Sequence, residues 1–262
     1  MKMNFFCALA LVVFLSSFLQ SVSAQIMSNS IRDRKLSIKA DNEPLAKVFH
    51  QLIYELGIPI GFEESNLDEG HRDFYFETNL PEYMSRNGGQ RYPANGSLSY
   101  DVHLERVFPK NGHLITLNFE NAPIDKVFDS IVRQMSNYKW EIADDIINIY
   151  PKDGRDPRLI ELLNTEVHEF ILGETATLIM IQPDIYDLPE FTKFLSERNL
   201  GVTGVRSNAQ DLKSRIPQRI KLSNVKLKQV LNRLAKIKAG GWILKVEKRM
   251  SEEGKEIIEL DI

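Results

Sequence analysis

The stretch Asn42-Glu43-Pro44-Leu45-Ala46-Lys47-Val48-Phe49 reads NEPLAKVF, and seventy-nine residues later, from Asn121 to Phe128, the chain reads NAPIDKVF. Five of the eight letters are identical and a sixth exchanges Leu for Ile. A segment used twice is either a chemical signature or a folding unit, and its surroundings decide which. From Leu45, apolar residues follow at Val48, Phe49, Leu52, Ile53 and Leu56; from Ile124 the same spacing gives Val127, Phe128, Ile131, Val132 and Met135. That spacing lays one apolar stripe along a three-turn amphipathic helix. Upstream, Leu36, Ile38 and Ala40, and again Ile115, Leu117 and Phe119, alternate as half-buried strands do. The repeated unit is strand, tight turn, helix.

Within it, Asn42 and Asn121 stand where a helix N-cap belongs, with a side-chain oxygen able to accept from orphan N–H groups. Pro44 and Pro123 fall in the first turn, where a missing N–H costs nothing. A weaker third copy, RIKLSNVKLKQVLNRL, carries Leu227, Val230, Leu231, Leu234 and Ala235 on the stripe, with Asn224 in the cap position and Lys226 in place of the proline. Every letter of the motif therefore has a mechanical role, and none is needed for chemistry.

Breakers and further strands follow each helix. The first copy has Gly57 and IPIGF, with Asp73–Glu77 expected as its partner strand. The second has YKWEI, the acidic turn Asp144-Asp145 and IINIY; the third has Gly240-Gly241, WILKV, the turn SEEGK and IIELDI. Both read as β-α-β-β with a terminal hairpin. Residues 79–97 are polar and rich in Gly, Pro and Asn, an expected exposed loop, and Pro151–Pro157 (PKDGRDP) reads as a linker. Between 158 and 205 a strand is expected near Thr177–Ile181 and a helix from about Leu188 to Arg198, capped by Asp187 and stopped at Gly201. The fold class expected is α+β, as tandem small βαββ modules with an additional α/β connecting segment. The divisions are 1–24 (signal peptide), 25–78 (module 1), 79–112 (polar loop and connecting strand), 113–152 (module 2), 153–205 (linker and α/β segment) and 206–262 (basic module 3).

The first residues imply export. Lys2 precedes an apolar run from Phe5 to Leu19, and Val22-Ser23-Ala24 supplies small residues for a signal peptidase, with cleavage after Ala24. An uncleaved anchor is the alternative, but the run is short for a span of roughly 20 residues. The single cysteine, Cys7, lies in this segment, so the mature chain would have no disulfide, thiol nucleophile or thiolate metal site.

The formal charge of −3 hides an asymmetry. Between Arg206 and Arg249 thirteen Lys or Arg face only two acids, Asp211 and Glu247, a net of +11; the rest of the mature chain carries −15. On the third helix Lys226, Lys228, Arg233 and Lys236 lie off the apolar stripe. They are either a surface for an anionic partner, such as lipid headgroups, cell-wall polymer or an acidic protein face, or an ordinary solvated helix face. Nucleic acid is not an expected partner of an exported protein. Trp140 and Trp242 sit on expected strands, where core packing accounts for both.

Catalytic signatures are absent. His168-Glu169 lacks the second histidine of a zinc-protease helix, and there is no nucleophile elbow, phosphate loop or dinucleotide fingerprint. Asp68–Asp73 has the spacing of no metal site. No catalytic residue, cofactor or metal is expected.

The segment LSIKADNEPLAKVFHQLIYELGIPIGFE resembles the secretin and TonB short N-terminal domain: an alternating strand, Asn-x-Pro-apolar, a helix, Gly, and a second alternating strand. The resemblance covers Lys35–Glu63 well, and Leu114–Tyr150 and Ile216–Ile262 more loosely. It implies a periplasmic βαββ module that mediates protein contacts ahead of an outer-membrane pore or receptor. No barrel or pore segment follows here, so the expectation is an exported, non-enzymatic interaction protein that contacts an envelope or outer-membrane complex. Its sheet edges leave self-association open. Binding of a cell wall or other anionic surface through residues 206–249 is the alternative, and an envelope hydrolase a third, for which no motif speaks.

Overall fold

The computed structural model describes residues 30–65, 112–173, 185–203, 219–238, 240–250 and 254–261. The expected signal peptide, the strand Asp73–Glu77, the loop 79–97 and the strand Thr177–Ile181 lie outside these residues. In chain order the elements are β1 (Lys35–Pro44), α1 (Leu45–His50, continued by a π-helical turn, Gln51–Glu55), β2 (Ile60–Glu63), β3 (Leu114–Pro123) and α2 (Ile124–Gln134). Then come β4 (Tyr138–Ala143), β5 (Ile146–Pro151), α3 (Pro157–Asn164), β6 (Glu166–Leu172), α4 (Pro189–Glu197), β7 (Leu200–Thr203), β8 (Ile220–Lys226), α5 (Leu227–Lys238), β9 (Gly241–Met250) and β10 (Glu256–Asp261). Helices and strands mix in an α+β fold.

The repeated strands pair with each other. β1 runs antiparallel to β3 in a register that sets Lys39 opposite Asn118, its own counterpart seventy-nine residues on. A pseudo-two-fold axis therefore passes between the copies. Two register shifts flank it symmetrically: Asp41-Asn42 bulges opposite Thr116, and Glu120-Asn121 opposite Ser37. The bulged asparagines hold φ of 52° and 50°, and Asn224 in β8 holds 52°. Their N–H groups donate to the partner hydroxyls, Asn42 to Thr116 Oγ1 at 3.0 Å and Asn121 to Ser37 Oγ at 2.9 Å.

This corrects the cap assignment. Pro44 and Pro123 are the N-cap residues, and neither helix receives a side-chain cap. The first helical N–H is satisfied across the pair instead: Leu45 donates to the carbonyl of His113 (2.9 Å), Ile124 to that of Arg34 (3.1 Å) and Leu227 to that of Thr165 (2.9 Å). Asn42 and Asn121 are present because a short amide side chain tolerates the left-handed region that a bulge requires; Asn224 holds the same backbone region although β6 and β8 keep one register past it. A cap accepts Thr, whereas a left-handed position penalises its branched Cβ. Asn121→Thr is thus expected to cost about 1–2 kcal/mol in urea unfolding, while Asn121→Gly leaves stability within about 0.5 kcal/mol of wild type. A neutral Asn121→Thr would restore the capping account.

The second strands leave their partners and merge into one six-stranded sheet, ordered β4-β5-β2-β9-β10-β7. β4–β5 and β9–β10 are the expected hairpins, the first closed by Asp144 and Asp145 at φ 54° and 62°, the left-handed pair of a two-residue turn. β2 lies between two hairpin strands, parallel to β5 on one side and to β9 on the other. Among the described residues, β6, α4 and β7 also follow one another as strand, helix, strand, and β6 pairs antiparallel with β8 as β1 does with β3.

Two cores result, one on each face of this sheet. Ile60, Phe62, Ile147 and Ile149 join α1, α2, β1 and β3 in the first. Ile146, Trp242, Leu244, Ile258 and Leu260 join α3, α4, α5, β6 and β8 in the second. The expected helix near Leu188 is α4, but its N-cap is Leu188 rather than Asp187 and carries no side-chain bond, and Gly201 lies inside β7. The stretch expected as a linker is anchored: Asp156 is buried and accepts from the Arg158 N–H as the cap of α3.

Candidate interaction surfaces

The basic helix α5 packs across β9, β2 and β5, on the face opposite the first core. It carries most of the cations singled out by the sequence, and the structure gives them intramolecular partners. Lys228 Nζ lies 3.1 Å from Glu141 on β4, and Lys236 Nζ 2.6 Å from Asp145 in the β4–β5 turn. Lys226 Nζ donates to Asn164 Oδ1 at 2.9 Å. Arg233 is exposed and, like Lys226, has no carboxylate beside it among the described residues. The charge asymmetry of the sequence is thus partly consumed inside the molecule, where a basic helix docks on an acidic hairpin.

The carboxylates record this docking. Burial alone would raise Glu141, but the hydrogen bond and charge of Lys228, with the Tyr150 hydroxyl, hold it below its ordinary range. Asp145 is likewise held low against its burial, by Lys236, the Ile31 N–H and the Ser30 hydroxyl. Glu256 is lowered by the Arg158 guanidinium, which bridges it to Asp156.

At the centre of the joint lies a relay that sequence reading did not find. Trp242 Nε1 donates to Asn232 Oδ1 at 2.9 Å, and Asn232 Nδ2 donates to Asp144 Oδ2 at 2.9 Å. The indole, 1% exposed, lies over Gly61 of β2, where an added Cβ would come within 2.3 Å of the ring. Beside it Glu63, 1% exposed, accepts two bonds from Arg155, at 2.6 and 2.7 Å. The signals available in the sequence were a glycine inside an apolar strand and an acid at its end, neither of which names a partner.

The motif residues Asn42, Pro44, Asn121, Pro123 and Asn224 form no common site; they stay at or just before three separate strand–helix junctions. His168 sits exposed on β6 beside Glu190, 3.7 Å away. Among the described residues no group of His, Cys, Asp and Glu is placed to hold a metal ion, and no helix is long and apolar enough to cross a membrane. The sheet ends in β4 on one side and β7 on the other, each paired on one edge only among the described residues. Compared with protein-family models, curated proteins and solved structures, the chain matches none of them.

Proposed function

We propose that this chain is an exported, periplasmic protein of modules related to the secretin and TonB short N-terminal domain, which acts by contact with an envelope or outer-membrane protein complex and carries no catalysis of its own. One observation supports this above others: the six-stranded sheet stops at β4 and β7 with outer edges unpaired among the described residues. Such edges present a row of N–H and C=O groups, the chemistry by which another polypeptide adds as a strand. Binding to an anionic surface through Lys226, Lys228, Arg233 and Lys236 is the weaker reading, because Lys228 and Lys236 already neutralise Glu141 and Asp145.

Crosslinking the tagged protein in its own cells, followed by mass spectrometry, tests the proposal. Recovery of an envelope protein complex is the expected result. Recovery of wall polymer or lipid alone would overturn it.

A further inference from the structure

The sheet is built from two halves with the same strand order. Residues 35–151 contribute β4-β5-β2, in which a hairpin is extended by a parallel strand; residues 166–261 contribute β9-β10-β7, the same arrangement. The halves join where β2, the last strand of the first, runs parallel to β9, the first strand of the second. Strand directions and the core-covered face both invert from one half to the other. Those two inversions define a two-fold screw along the direction in which strands are added. Such a joint is head-to-tail rather than self-complementary, so it uses up β2 and β9 and leaves their counterparts, β7 and β4, at the two ends.

Two side-chain details show that the ends keep the features of the internal joint. β2 reads Ile60-Gly61-Phe62-Glu63 and β7 reads Leu200-Gly201-Val202-Thr203, four residues each with glycine second. Both glycines face away from the core of their own half. The space over Gly61 is occupied by Trp242, whereas a Cβ on Gly201 would meet nothing nearer than 3.8 Å. On the other side, Trp242 is anchored through Nε1 to Asn232 on α5, and Trp140 of β4 is anchored through Nε1 to Asp129 on α2, at 2.8 Å. Asn232 and Asp129 hold the same place in their helices, each five residues after the first, Leu227 or Ile124. Trp140 is held as Trp242 is, yet stays half-buried at the sheet's end.

From this we infer that the chain assembles with copies of itself, β4 of one copy running parallel along the outer edge of β7 of the next, with Trp140 seated over Gly201. The inference rests on the interaction reading above and names a second copy of this chain as occupant of those edges. Because the operator is a screw, each added copy repeats the same step and continues the sheet.

The test uses the purified chain in sedimentation velocity over a dilution series up to about 100 μM. The weight-average mass is expected to rise above that of the monomer as concentration increases. Gly201→Leu puts a side chain into that space, where its Cβ meets nothing nearer than 3.8 Å, and is expected to weaken association by at least about tenfold with an unchanged circular dichroism spectrum and melting temperature. A second experiment does not depend on that variant. In a Cys7→Ser background, one population carries Val202→Cys and another Lys139→Cys, diagonal neighbours on one face of the sheet in the register that β2 and β9 share, with Gly201 left intact, and a short bis-maleimide is added. Crosslinked dimers that form in the mixture, and in neither population alone, support the head-to-tail pairing. A wild-type protein that remains monomeric, a Gly201→Leu protein that associates as wild type does, or dimers within either single population would overturn it. A monomeric chain that still captures an envelope complex overturns this inference alone; an assembling chain that captures none overturns the envelope reading and leaves this one standing.

Discussion

Trp242→Ala is expected to destabilise the chain by about 3–5 kcal/mol, the range for removing a fully buried large aromatic residue. The loss has three parts. The indole fills the space over Gly61, so its removal opens a cavity between the halves. Asn232, fully buried, loses the partner of its Oδ1 and keeps only the bond to Asp144. Helix α5 loses its tie to the strand beneath it. Equilibrium urea unfolding measures the effect, and the variant is expected to separate one transition into two as the halves uncouple. A loss below about 1 kcal/mol would show that the halves hold together without this contact. Gly61→Val approaches the same joint from the other side and forces Trp242 out of its place.

Arg155→Ala is the second large effect. Glu63 is 1% exposed, and Arg155 clamps both of its oxygens. Removing the guanidinium leaves a carboxylate without its counter-charge at the end of a central strand. For a buried pair this costs about 3–5 kcal/mol; Arg155 is itself 25% exposed, so water screens part of the loss and about 3 kcal/mol is the expected figure. The double variant Glu63→Gln/Arg155→Ala distinguishes the cause. If the penalty is an unpaired buried charge, the double variant is more stable than Arg155→Ala; if it is lost packing, it is no better. Urea midpoints of the two proteins, read side by side, decide between these.

The first prediction concerns the joint between the halves and the second the end of β2 beside it, and that joint is where sequence reading stopped. The periodicity of Leu45 to Leu56 and of Ile124 to Met135 located the helices because an apolar stripe is a local property of one element. The acidic turn Asp144-Asp145 located a hairpin for the same reason. The asparagines were correctly placed at the junctions but assigned the wrong role. Capping and bulging favour the same residue, and only the pairing of β1 with β3 separates them. The candidate surface Lys226, Lys228, Arg233 and Lys236 was legible as a charged face. That Glu141 and Asp145, some ninety residues earlier, would meet two of these lysines was not.

By itself the sequence determined the local units of the repeats, their strands, their apolar stripes and their turns, but not α3, β6 or β7, which no motif marked. It did so because side-chain period, proline and left-handed asparagine act over a few residues. Only the tertiary structure decided that the first strands pair about a pseudo-two-fold axis, while the second strands leave to share one sheet with a core on each face. Strand order depends on contacts between residues far apart in the chain, where one edge offers the same backbone groups as another. At that level selection comes from shape, a tryptophan over a glycine and a guanidinium on a buried carboxylate, and shape exists only once the strands have met.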